Sequence, residues 1–258
     1  MEAVGPIVKE MPSIDQRLAM RERPPTRPVM RQSWRELLFL HWKYDPAEIQ
    51  KLLPHGLTID TFDGAAWVGI VPFFMTGVRP VWCPPVPGLS NFLELNVRTY
   101  VSDSYGNPGV WFFSLDANNS IAVFVARTLF KLPYFHARMR ARATPATVDY
   151  WSQRSALEAD HFVYQPVGAE RIAEPGTLEF FLVERYLLYT FDRSSNQLYA
   201  GRVHHKPYQI REVKVLEYGT QLLLPAGIEL PSHTYDSALY SKAAEVDVFS
   251  LNILAIHS

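Results

Sequence analysis

Four side chains stand out in this sequence because their types could do chemistry where they sit. Glu94 lies between two leucines in "FLELNVRTYV", Arg35 precedes the apolar run "LLFLHW", and Tyr134 and His136 alternate in "PYFHARMR". A carboxylate among apolar neighbours can exchange a proton near neutrality. A guanidinium grips a carboxylate through two parallel hydrogen bonds, and a phenol or an imidazole can supply a proton. Together such groups would serve proton transfer on a small acid. Each also has a plainer reading. Alternating charges on the outer face of a sheet are usually solvated, an arginine near a carboxylate is usually a structural pair, and a lone strand histidine is usually hydrogen-bonded. Spacing alone favours the plainer reading for any one of them.

Other chemistries find less support. There is no G-x-G-x-x-G or G-x-x-x-x-G-K-[ST] phosphate loop, and "GLSNF" fails the G-x-S-x-G nucleophile pattern. The histidines are scattered. Only His204 and His205 adjoin, and neighbours on a strand point to opposite faces. No metal site and no cofactor is therefore expected. The single cysteine, Cys83, can form neither an intramolecular disulfide nor a thiolate cluster.

The net charge of −1 gives no global field for nucleic acid or an anionic membrane. Runs such as "IAVFVA" are far too short to span a bilayer, and the N-terminus lacks a signal-peptide pattern. The expectation is a reduced, cytoplasmic protein whose partner is a small-molecule ligand or substrate, with self-assembly as a homo-oligomer open. With 48% hydrophobic and 20% charged residues, the chain can build a sizeable core.

The elements that must position these residues are mostly strands. Residues 1–30 read as a flexible tail, with Pro24, Pro25 and Pro28 among Arg21, Arg23 and Arg27 and no apolar period. "WRELLFLHWKY" then reads as a buried strand. "DPAEIQKLLPHG" reads as a helix of about two turns, with Asp45 as N-cap, Pro46 at the first position and Glu48 completing a capping box. "AAWVGIVPFFM" leads into the proline-rich loop "VRPVWCPPVPG". In "FLELNVRTYV", Leu93, Leu95, Val97 and Val101 take one face and Glu94, Asn96, Arg98 and Tyr100 the other. "VWFFSLD" is a central strand. A helix over roughly 119–130 follows, capped by Asn118, Asn119 or Ser120 and closed by Pro133.

Beyond Pro133 a strand puts Tyr134, His136, Arg138 and Arg140 on one face. "TLEFFLVERYLLYTF" and "LYAGRVHHKP" read as strands joined by a "DRSSNQ" hairpin, with "REVKVLEYGTQLLL" and "EVDVFSLNIL" as two more. Many strands and few helices make a mainly β chain, mostly antiparallel, a sandwich or barrel. No composition break divides it after residue 30.

"MRQSWRELLFLHWKYDPAEIQKLLPHGLTIDTFDGAAWVGIVPF", with "ELNVRTYV", "GVWFFSLDA", "ERYLLYTF" and "GRVHHKPY", resembles the YqjF-like bacterial family of unknown function. That family resembles the acetoacetate decarboxylase-like superfamily. The resemblance implies, over residues 31–258, a large antiparallel β-barrel with a few helices and an internal cavity. It places Arg35 where the decarboxylase has an active-site arginine and Glu94 where it has an active-site glutamate. "ARTLFKLPYFHA" is similar to the segment in which that enzyme's arginine leads to a proline and two lysines. Arg127 matches the arginine and Pro133 the proline, but Tyr134 and Phe135 stand at the lysines.

The first lysine of the decarboxylase forms a Schiff base with the substrate ketone, the handling of a carbonyl that tyrosine and phenylalanine cannot reproduce. Lys131 lies three residues upstream, about 10 Å along an extended chain. Two expectations follow from the resemblance. The first is a cofactor-free enzyme on a small oxo-acid, with Glu94 as general base and Tyr134 or His136 as proton donor. Arg35 and Arg127 would hold the carboxylate, with Arg98 and His205 as further ligand-binding candidates. The second is a non-catalytic binder of a small molecule in the same cavity. A role in partner binding through the basic tail and the loop at 80–88 ranks below both.

Overall fold

The computed structural model describes residues 11–254. In chain order the elements are α1 (Ile14–Ala19), β1 (Met30–Tyr44), α2 (Pro46–Gln50), β2 (Thr58–Ile59), β3 (Ala66–Pro80), β4 (Phe92–Ser102), β5 (Pro108–Ala117) and α3 (Ser120–Leu129). They continue with β6 (Tyr134–Ala143), β7 (Val148–Arg154), β8 (Asp160–Ile172), α4 (Leu178–Val183), β9 (Leu187–Asp192), β10 (Gln197–His204), β11 (Gln209–Glu217) and β12 (Ser237–Ile253). The strands form one mainly antiparallel sheet in the order β10-β9-β5-β6-β7-β8-β11-β12-β1-β3-β4-β2, with further pairings β10–β12 and β4–β5. Only β5–β6 and β5–β9 run parallel among the described pairings. The result is mainly β with few helices, as the patterning implies.

Strand β4, with residues 37–42 of β1 and 66–73 of β3, is buried on both faces, and each face has its own core. Leu37, Phe39, Phe73, Met75 and Tyr100 pack with Phe180, Phe181, Leu182 and Val183 of α4. On the opposite faces Leu38, Leu40, Ile70, Leu95 and Val97 pack with Tyr150, Phe162 and Tyr164 of β7 and β8. One-sided burial would have left the polar face of β4 in water; here every residue of that strand is buried.

Three local readings change. "TLEFFLVERYLLYTF", expected as one strand, splits into α4 and β9. Thr177 caps α4 by accepting from the Phe180 amide, and Phe180, Phe181, Leu182 and Val183 are all buried, so this apolar run carries no helical period to separate it from a buried strand. Similarly, the end of "REVKVLEYGTQLLL" forms a 3₁₀ turn (Gln221–Ala226) after β11. Helix α2 keeps its Asp45 cap and Pro46, but it is only Pro46–Gln50, and Glu48 bonds Lys51 instead of closing a capping box. Strands β7 and β8 arise where the sequence patterning singled out none.

The largest correction concerns the N-terminal segment. Residues 1–10 lie outside the described residues, but residues 11–29 are docked. Ser13 and Gln16 form the capping box of α1. Arg17 makes a two-pronged bond to Asp60, 2.7 Å on each arm, and Arg21 reaches Glu184 at 3.2 Å. Arg23 pairs with Asp247, while Arg202 donates to the carbonyls of Met20 and Glu22, both at 2.9 Å. Arg17 and Arg21, within what looked like a solvated tail, neutralise two carboxylates that the fold has buried, Asp60 and Glu184.

Candidate functional site

Glu94 is the best placed of the candidate residues. It is 3% exposed, on the α4 side of β4. The sequence departs into α3 after β5, and the return at Pro133 sets Tyr134 beside Leu115 of β5. From there the Tyr134 hydroxyl donates to Glu94 Oε2 at 2.7 Å. Burial pushes the Glu94 carboxyl up to about 7; hydrogen bonds from Tyr134 and Asn96 oppose this, and the charge of Asp116 adds to it. Burial and the facing carboxylate push the Tyr134 phenol well above its ordinary range. Tyr150 fixes the backbone, donating to the Glu94 carbonyl at 2.8 Å. A carboxyl poised near neutrality with a phenol bonded to one oxygen can take and return a proton.

The same face of β4 carries a polar stripe, Glu94, Asn96, Arg98 and Tyr100, all buried. Its far end serves the fold. Helix α4 ends inside the protein, and its last carbonyls need donors. The Leu182 carbonyl accepts from the Tyr100 hydroxyl at 2.7 Å and from Arg98 at 3.2 Å, and the Phe181 carbonyl accepts from Arg185 at 2.8 Å. Arg185 in turn meets Asp60 at 2.7 Å. Tyr100 also lies 2.6 Å from His41 Nε2, where the absence of a side chain at Gly69 leaves room for the imidazole. Burial holds His41 well below the usual histidine range. Among the described residues, Asn96 Oδ1, Arg98 Nε and His41 Nδ1 on this side are buried without a hydrogen-bond partner.

The other candidates lie elsewhere. Arg35 stands opposite Phe74, which stands opposite Leu93, so Arg35 shares the face of Leu93 and points away from that of Glu94. It is exposed and bonds Glu245 at 2.6 Å. His136 and Arg127 are exposed, the latter on the last turn of α3. Lys131 pairs with Asp192 of β9 at 3.4 Å and does not turn toward Glu94. Arg35 and His205 both line an open groove of about 620 Å³. Glu94 with Tyr134 is thus one constellation, and this groove is a separate place.

His41, Asn96 and Tyr100 were not singled out as candidates. The alternation in β4 carried the signal for two of them, but reading that face as solvated concealed it. Asp116, fully buried and bonded by Arg154, likewise looked like the end of an apolar strand.

The fold sets this chain beside solved proteins with the acetoacetate decarboxylase-like fold. It is similar to the enduracididine biosynthesis enzyme MppR solved with pyruvate, at 14% identity, with a TM-score of 0.64 over 90% of this chain and 93% of that one. An acetoacetate decarboxylase-like enzyme from Sphingomonas wittichii RW1 gives 12% identity and a TM-score of 0.63 over 90% and 95%. Acetoacetate decarboxylase from Legionella pneumophila subsp. pneumophila str. Philadelphia 1 gives 12% and 0.61 over 99% and 98%. Residues 31–245 match DUF2071, described as an uncharacterized conserved protein, and the chain belongs to that family. It is 41% identical over 206 residues to the uncharacterized protein YqjF of Bacillus subtilis (strain 168), covering 79% of this chain and 84% of that protein. Among the described residues no helix is long and apolar enough to cross a membrane.

Proposed function

We propose that the interior on the α4 side of β4 receives a small carboxylate-bearing oxo-acid and that Glu94 transfers a proton on it without a cofactor. The observation that carries this reading is the buried Glu94 carboxyl, held near neutrality and bonded by Tyr134. The pairings β4–β5 and β10–β12 support a sheet closed into a barrel around that interior. The unpartnered atoms of Asn96 and Arg98 support a polar ligand there. The pyruvate in the MppR complex, itself an oxo-acid, supports the substrate class.

In this reading Oε1 of the Glu94 carboxylate removes the proton α to the ketone while Tyr134 stays on Oε2. The C–H bond breaks, an O–H bond forms on Glu94, and the electron pair moves into the carbonyl to leave an enolate. Returning the proton to carbon restores the ketone. Arg98, on the same strand face, takes the substrate carboxylate through its free Nε, the role that Arg35 cannot fill from the other face. No amine stands at position 134, so no Schiff base forms.

The test is exchange of α-protons of pyruvate and 2-oxobutyrate into heavy water, followed by NMR. Exchange catalysed by the wild type and lost in Glu94→Gln supports the reading; equal exchange by both would sink it. A second reading, a non-catalytic binder, is favoured by the replacement of the reactive lysine by Tyr134. It predicts thermal stabilisation by small oxo-acids with no exchange above the uncatalysed rate.

A further inference from the structure

Strands β10 and β11 pair with the same side of β12 at separate stretches. His204 lies opposite Asp247 and Val203 opposite Val248, whereas β11 meets β12 only at 239–241. Between them residues 242–246 of β12 have no strand on that side, and the link 205–208 spans the gap. This opening is the groove lined by Arg31, Arg35, Arg79 and Lys206, with Glu245 and Asp247 among its walls.

The charges in it do not cancel. Arg31 and Arg79 are direct cross-strand partners, an arrangement of like charges that destabilises a sheet. Asp247 answers Arg31 at 3.5 Å, and Glu245 answers Arg35. Among the described residues, neither Arg79 nor Lys206 has a carboxylate partner; Arg79 bonds only the Gly77 carbonyl, at 3.0 Å.

His205 supplies a second, independent observation. It lines the groove yet is 2% exposed. Its ring is stacked on Tyr186 at 4.6 Å between centroids and leans on Tyr208 at 4.5 Å and Trp34 at 5.9 Å. Its Nδ1 lies 2.8 Å from the Lys206 carbonyl. A carbonyl only accepts, so Nδ1 carries the proton, and Nε2 of the neutral ring is an acceptor. Burial favours that neutral ring, over the opposing pull of the Lys206 carbonyl, Glu184 and the Arg185 carbonyl. Among the described residues Nε2 has no hydrogen-bond partner.

We propose that this groove binds a small anion that also carries a hydroxyl donor, either a hydrogen phosphate group or a hydroxycarboxylate. Arg79 and Lys206 face the negative oxygens, and the hydroxyl donates to His205 Nε2. The site is separate from Glu94 and stands whether or not Glu94 transfers protons.

The test is calorimetric titration of the full chain with four anions: phosphate, sulfate, malate and succinate. Phosphate and malate carry the hydroxyl; sulfate and succinate present similar charge without it. Phosphate is expected to bind roughly tenfold tighter than sulfate, and malate than succinate, by the worth of one hydrogen bond to a buried acceptor. His205→Phe keeps the stacked ring and should bring both ratios to about one. Arg79→Gln, at the groove wall, should weaken all four anions alike while the ratios persist. Glu94→Gln should leave all four unchanged. Equal binding of phosphate and sulfate by the wild type overturns the proposal, as does absence of binding at millimolar anion or ratios that survive His205→Phe.

Discussion

Replacing Glu94 by glutamine should make the protein more stable at pH 8 and leave that advantage absent at pH 4.5. The carboxyl sits at about 7 in the folded chain against an ordinary 4.5. Its folded value is raised, so its proton stabilises the fold fully below about pH 4.5 and this contribution disappears as pH rises through 7. Above 7 the folded protein must hold a buried anion, or give up its burial, while the unfolded chain ionises freely. A displacement from 4.5 to about 7 corresponds to about 3 kcal/mol. The glutamine is neutral at every pH, still accepts from Tyr134, and fills the same volume.

The measurement is the urea midpoint of wild type and Glu94→Gln at intervals from pH 4.5 to 8.5. Other groups titrate in both proteins, and the difference between the two curves isolates this one. The expected difference moves by about 3 kcal/mol in favour of glutamine across that window, most of it between pH 5 and 7. Two curves that run parallel would refute the reasoning, because Glu94 would then ionise in the folded state as easily as in water. The same result would remove the main support for Glu94 as a base working near neutrality.

Tyr134→Phe takes away the donor to Glu94 Oε2, so it should cost about 1–3 kcal/mol and move the Glu94 titration further upward, read by the same pH series. Arg185→Met takes one of two arginines from Asp60, which keeps Arg17, and removes the donor to the Phe181 carbonyl; a loss of about 1–3 kcal/mol in urea unfolding is expected. Gly69→Ala brings a methyl to 2.7 Å from His41 Nε2; a loss of about 1–3 kcal/mol is expected, with a changed NMR signal for the His41 ring. Phe181→Ala empties the α4 core and should cost about 3–5 kcal/mol in the same assay.

The parts of the fold legible in the sequence were those whose signal is local. Asn119 caps α3 by accepting from the Ile121 and Ala122 amides, and the helix ends before Pro133 as the ring requires. The two faces of β4 also separate as read, Leu93, Leu95 and Val97 from Glu94, Asn96, Arg98 and Tyr100. What alternation cannot say is which face meets water. That depended on α4, about eighty residues further along the chain by the Arg98–Leu182 bond, and α4 itself has no helical period to announce it.

The N-terminal arginines illustrate the same limit from the other side. Arg17, Arg21 and Arg23 find Asp60, Glu184 and Asp247, partners that no local window contains. The two buried ones, Asp60 and Glu184, need cations wherever the chain can bring them, and a segment without an apolar period can still be fixed by supplying them. Arg35 and Glu94 show why matching residues to a pattern leaves their geometry open. The resemblance pairs them in one site, yet the register turns them to opposite faces of the sheet. The proposed proton-transfer site and the proposed anion-binding groove are then two places instead of one. In the proposed reading the carboxylate clamp for Glu94 comes from its own face, where Arg98 is a buried cation with a donor to spare. Arg98→Met should accordingly abolish oxo-acid stabilisation while phosphate binding in the groove persists. Loss of both together would mean that the two sites are coupled, against the division the register imposes.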